Sequence, residues 1–136
     1  MSFIFSFLIC SMIKIYHNPN CGTSRKTLEF LKAHQIEFET ILYLETPANQ
    51  AELRTLLKDM GMGVRDLLRQ KGTPYDELDL GSERWSDEAL LDFMVQYPIL
   101  MNRPIVVTPK GTRLCRPMET LFEILDLPTE GEPLRQ

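Results

Sequence analysis

Two short runs of β-formers flank one helix, and that pattern constrains the fold most. Ile13–Tyr16 alternates apolar and polar residues, and Phe38–Leu42 is rich in residues that favour strands. Between them, about Gly22 or Thr23 to His34 has helical spacing, with Leu28 and Leu31 on its inner side. Strands joined through a helix lie parallel in one sheet, and such crossovers are right-handed. His17-Asn18-Pro19-Asn20, before the helix, has loop chemistry.

The centre of the chain reads as helical. Asn49, followed three residues later by Glu52, is a capping signal for a helix that turns Leu53, Leu56, Leu57 and Met60 inward. Gly61 and Gly63 end it, and Val64–Arg69 predicts a short helix. Residues 70–83 contain Gly72, Pro74 and Gly81 and form a connection. Ser86 then caps a helix reaching about Tyr97, with Leu90, Leu91 and Met94 inward. Pro104–Thr108 predicts a buried strand, Pro109-Lys110-Gly111 a turn, and Thr112–Cys115 a strand pairing back. Pro117 suits the first position of a last helix over Met118–Leu125. The order is βαβ, a helical segment, then ββα.

A chain of 136 residues with 15 basic and 19 acidic side chains is one domain of net charge −4. The acidic balance argues against nucleic acid as a partner. Three cysteines at irregular spacing give no disulfide framework, which favours a reducing, cytoplasmic setting and one functional thiol. The apolar run Ser2–Cys10 is too short to span a bilayer, so no membrane is expected. It also lacks the flanks of a signal peptide. Met12 opens a second plausible start. Residues 1–11 are therefore expected to be a dispensable extension, 12–127 the domain, and 128–136 a frayed polar tail.

Cys21 lies where a loop after a strand enters a helix. The helix dipole and free N–H groups there favour a thiolate. An ordinary thiol is only a few per cent ionised at neutral pH. Arg25 and His17 can add to that effect, and Thr23 and Ser24 supply hydroxyls. Ser24 occupies the position that a second cysteine would hold in a Cys-x-x-Cys pair, so a dithiol site is excluded. A phosphatase loop of the Cys-x5-Arg kind needs arginine where Thr27 stands. No metal-ligand spacing, Walker loop or dinucleotide fingerprint occurs, so no metal and no bound cofactor is expected.

Arg103, Lys110, Arg113 and Arg116 fall within 14 residues that contain no acid. Arginine grips tetrahedral oxyanions through paired donors and keeps its charge. Arg103 precedes a strand and Arg116 precedes a helix, so both can sit at one end of the sheet. Arg65 and Arg69 end the short middle helix. Arg54, Arg84 and Arg135 read as solvated surface, and Arg113 as structural. A thiolate meeting a small anion is the chemistry these residues suggest.

The motifs then converge. His17-Asn-Pro-Asn-Cys21-Gly-Thr-Ser-Arg25, Tyr43-Leu-Glu-Thr-Pro47, Val64-Arg-Asp-Leu-Leu-Arg69, Pro98-Ile-Leu-Met-Asn-Arg-Pro-Ile-Val-Val-Thr-Pro109 and Gly111-Thr-Arg-Leu-Cys-Arg-Pro117 resemble the glutaredoxin-coupled arsenate reductases. The resemblance runs from about Ile13 to Leu125. It implies a thioredoxin-like α/β fold with a helical insertion between the halves of the sheet. It implies Cys21 as nucleophile, Arg69, Arg103 and Arg116 as the oxyanion-binding arginines, and His17 beside the thiol. It also implies a cis Pro104, and a Cys115 that the reaction does not require. The implied reaction starts with arsenate docking on the arginines and Cys21 attacking arsenic. Glutathione adds as co-substrate, glutaredoxin supplies the second reducing step, and arsenite leaves. A monothiol oxidoreductase acting on another substrate is the next reading of the same fold. A non-enzymatic Spx-like regulator is less well matched, because Ser24 replaces the second cysteine of its switch.

Overall fold

Alternation along the first strand sets the layers. In the computed structural model, which describes residues 13–126, β1 (Lys14–His17) turns Ile15 to one face of the sheet and Tyr16 to the other. The expectations for residues 1–11 and 128–136, and for Cys10 and Arg135, lie outside the described residues. The strand begins and ends one residue later than Ile13–Tyr16 suggested. His17 belongs to it rather than to the loop, because it is held in register with Leu42 of the neighbouring strand.

Cys21, in extended conformation, is the N-cap of α1 (Gly22–Ala33), which buries Ser24, Thr27 and Leu31. Lys32 in its last turn suits the negative end of the helix dipole. β2 (Glu39–Leu42) then pairs parallel to β1, as the βαβ reading required.

The insertion follows. α2 (Gln50–Met60) starts with the Asn49 side chain accepting the Glu52 N–H at 2.8 Å and stops at Gly61, whose φ of 69° suits glycine. Asn49→Ala should lower stability by about 1 kcal/mol in urea unfolding; an unchanged midpoint would contradict the role of the cap. α3 covers Val64–Leu67 only, not Val64–Arg69. The helix stops because Leu68 turns extended and bridges Met101. The Arg69 N–H donates to the Leu100 carbonyl at 2.7 Å, and the Asn102 N–H to the Leu67 carbonyl at 2.9 Å. Arg65 does structural work, donating to the carbonyls of Leu80 and Ser82 at 2.9 Å each. α4 (Asp87–Gln96) is capped by Ser86, and a 3-10 turn follows at Pro98–Leu100.

β3 (Ile105–Thr108) pairs antiparallel with β1, and β4 (Gly111–Leu114) antiparallel with β3, giving the order β2-β1-β3-β4. The last helix differs from expectation. It is a 3-10 helix over Met118–Glu123, with Pro117 extended ahead of it. The Thr108 hydroxyl donates to the Ile124 carbonyl at 2.6 Å, which ties the end of this helix to β3.

Two apolar layers result. Ile15, Leu31, Val106, Cys115, Leu121 and Ile124 fill one face, under α1 and the last 3-10 helix. Tyr16, Tyr43, Leu53, Leu91, Met94 and Ile105 fill the other, under the insertion. The strand directions matter for the site. β1 and β2 end, β3 begins and β4 ends at the same edge, since Tyr16 pairs with Ile105 and Ile105 with Leu114. Residues just after β1, β2 and β4 and just before β3 therefore gather there.

Candidate active site

Cys21 follows β1, Arg103 precedes β3 and Arg116 follows β4, so the sheet edge assembles them from distant segments. The thiol is 7% exposed. Arg116 Nη1 stands 3.5 Å from Cys21 Sγ and also donates to the Arg103 carbonyl at 3.0 Å. Burial pushes the thiol pKa up. The Arg103 guanidinium, the Ser24 backbone N–H and the Arg116 guanidinium outweigh that and bring it down to about 7. The Ser24 N–H is one of the free donors of the first helical turn, here turned toward sulfur.

Arg103 is 8% exposed, and its Nε and Nη1 are buried without a hydrogen-bond partner. Arg69 Nε is in the same condition. Among the described residues no carboxylate forms an ion pair with Arg69, Arg103 or Arg116. Buried donors without acceptors are costly, and native proteins keep few of them. Burial and the charges of Arg103 and Arg116 lower the Arg69 pKa, with Cys21 and Tyr43 opposing. Three guanidinium groups crowded around one sulfur form a cradle for an anion. The bridge of Leu68 with Met101 ties the segment bearing Arg69 to the one bearing Arg103.

His17 supports the loop rather than the sulfur directly. Its Nδ1 lies 2.6 Å from the Ser24 hydroxyl, which also accepts the Asn18 N–H at 3.0 Å. Burial, then the charges of Arg25 and Lys32, lower the His17 pKa, which favours the neutral ring. Arg25 is not brought to the thiol. It is exposed and donates to the Pro19 carbonyl at 2.8 Å, closing the loop before Cys21. The Arg103-Pro104 peptide is cis, as the resemblance implied, and Arg116-Pro117 is cis as well, which the sequence did not suggest. The ion pairs of Arg54 and Arg84 are exposed, and Arg113 pairs with Glu123 at 3.0 Å. Among the described residues no group of three metal-ligating side chains occurs, and no helix is long and apolar enough to cross a membrane.

Sequence reasoning passed over Asn18 and Tyr43 as members of the site. Asn18 is 2% exposed, its carbonyl accepts the Cys21 N–H at 3.0 Å, and its Oδ1 accepts the Asn20 N–H at 2.9 Å. Tyr43 directly follows β2 at the same sheet edge, a position the βαβ reading could have flagged.

The thiol makes a direct prediction. Alkylation of the native protein by iodoacetamide should reach half its maximal rate near pH 7. A midpoint near the ordinary thiol value of about 8.5 would contradict the arrangement.

This sheet and this chain order are those of one family. The chain belongs to the ArsC family, whose profile matches residues 16–124. An arsenate reductase of Escherichia coli is 57% identical over 115 residues, 85% of this chain and 82% of that protein. The solved structure of an arsenate reductase from Vibrio cholerae is 43% identical, with a TM-score of 0.80, covering 85% of this chain and 99% of that one. An E. coli K12 relative, Uncharacterized protein YfgD, is 52% identical over 114 residues, 83% of this chain and 96% of its own length. The thioredoxin-like α/β architecture is thus the fold of the chain.

Proposed function

We propose that this chain reduces arsenate to arsenite, with Cys21 as nucleophile and Arg69, Arg103 and Arg116 as the oxyanion cradle. Glutathione and glutaredoxin supply the electrons. The carrying observation is the set of partnerless buried guanidinium donors around a thiol whose pKa is about 7. Identity alone does not choose the substrate, because a 52% identical relative carries no activity in its name. The cradle supports arsenate, because buried guanidinium donors without partners suit a compact tetrahedral dianion.

Arsenate docks with its oxygens on the arginines, which offset its charge and that of the adduct. About half of Cys21 is thiolate at neutral pH, which greatly exceeds the few per cent of an ordinary thiol. The sulfur attacks arsenic, an oxygen leaves as water, and a Cys21–arsenic(V) thioester forms. His17, Ser24 and Asn18 hold the loop in shape during attack. Glutathione thiol then displaces a second oxygen as water. A glutaredoxin thiolate attacks the glutathione sulfur, forming a mixed disulfide. The two electrons of the broken sulfur–arsenic bond pass to arsenic, leaving arsenic(III) on Cys21. Water releases arsenite and regenerates the thiol.

The second thiol comes from outside. Cys115, the other cysteine among the described residues, is fully buried on the face under α1, and burial pushes its pKa up to about 12. It cannot resolve an adduct on Cys21. Omitting glutathione or glutaredoxin should each reduce steady-state turnover to background. Sustained turnover with a thioredoxin system and no glutathione would contradict this electron source.

A further inference from the structure

Tyr43 is 1% exposed, and its ring packs in the apolar layer under the insertion. Its hydroxyl does not stay in that layer. It donates to the Met101 carbonyl at 3.3 Å, reaching the segment that carries Arg103 two residues on. That segment is the one bridged to Leu68, ahead of Arg69. Burial raises the Tyr43 pKa, the Arg103 charge lowers it, and the Asn18 and Arg103 donors facing the phenol oxygen lower it further. Cys21 is close enough to oppose them. One oxygen thus faces the loop before Cys21, through Asn18, and the loop before β3, through Met101 and Arg103.

From this geometry we infer that Tyr43 is a positioning residue that aims the Arg103 guanidinium at the Cys21 sulfur by pinning the Met101 carbonyl and offering its own oxygen. The role deepens the arsenate reading but does not depend on the identity of the anion. Arg103 has two donors without partners, Nε and Nη1. If the Tyr43 hydroxyl is removed, the Met101 carbonyl becomes an orphan acceptor two residues from those donors. A buried acceptor seeks a partner, so the guanidinium turns toward it and away from sulfur.

Tyr43→Phe keeps the ring and removes the hydroxyl. Iodoacetamide titration without arsenate reads the thiol alone, so its outcome is independent of the substrate assignment. The midpoint should move up by about one pH unit, and the pH profile of kcat/KM for arsenate should move with it. In an Arg103→Lys background the same substitution should shift the midpoint much less, because coupled residues do not add. An unchanged midpoint in Tyr43→Phe would overturn the inference. So would a shift of equal size in both backgrounds, which would place the effect elsewhere. Failure of Tyr43→Phe to fold would make the phenol a core residue only, and would overturn it too.

Discussion

Cys21→Ser should abolish arsenate reduction while the chain remains folded. A serine hydroxyl does not ionise near neutral pH, so the cradle keeps its charge but has no nucleophile. The substitution also has a stability signature with a definite sign. The folded thiol titrates near 7, below the ordinary thiol value of about 8.5. A depressed pKa stabilises the fold when the group is ionised, so the contribution is complete above the unfolded pKa and fades as pH falls through 7. Wild type should therefore exceed Cys21→Ser in stability most at pH 9, and the gap should narrow by pH 6. Chemical denaturation across that range measures it. Retained turnover in the variant would remove Cys21 from the mechanism, and a gap that widens toward acid would contradict the thiolate.

Arg103→Leu should lose activity without losing stability. The residue touches both halves of the reaction: its donors await an oxyanion, and its charge lowers the Cys21 pKa. Removing one preorganised donor from an oxyanion site typically costs about 10²–10³ in rate, and the raised thiol pKa adds to that loss near pH 7. Stability should behave differently. A buried guanidinium with unpartnered Nε and Nη1 is a burden on the fold. An apolar replacement should hold or raise the melting temperature. Arg54→Ala is the control: Arg54 has a side chain 54% exposed and an ion pair at 4.0 Å, so activity should stay within about twofold. Equal loss in Arg103→Leu and Arg54→Ala would point to general instability and contradict the cradle.

The sequence held more of the site than of its surroundings. Cys21 was readable because a strand, a polar loop and a helix follow one another within a few residues, which fixes a cysteine at a helix N-terminus without tertiary information. Arg103 and Arg116 were readable from their places before a strand and before a helix, while Arg69, and the oxyanion role of all three, came from the resemblance. The errors were local competitions decided by tertiary bonds. Val64–Arg69 has helical composition, but Leu68 bridges Met101, a partner 33 positions away that no local pattern announces. The last helix is 3-10 over Met118–Glu123, and the Thr108 hydroxyl ties its end to β3 through the Ile124 carbonyl. Arg25 was expected at the thiol on helical proximity alone. The Pro19 carbonyl instead holds it on the outside of the loop. Tyr43 escaped notice because a tyrosine after a strand looks like core, and it is core except for one oxygen.

The most direct test supplies purified chain with arsenate, glutathione and glutaredoxin and quantifies arsenite by speciation. The account predicts arsenite formed catalytically by wild type and none by Cys21→Ser. Thiol–disulfide exchange without any arsenate-dependent arsenite would contradict it and make the chain a monothiol oxidoreductase of another substrate.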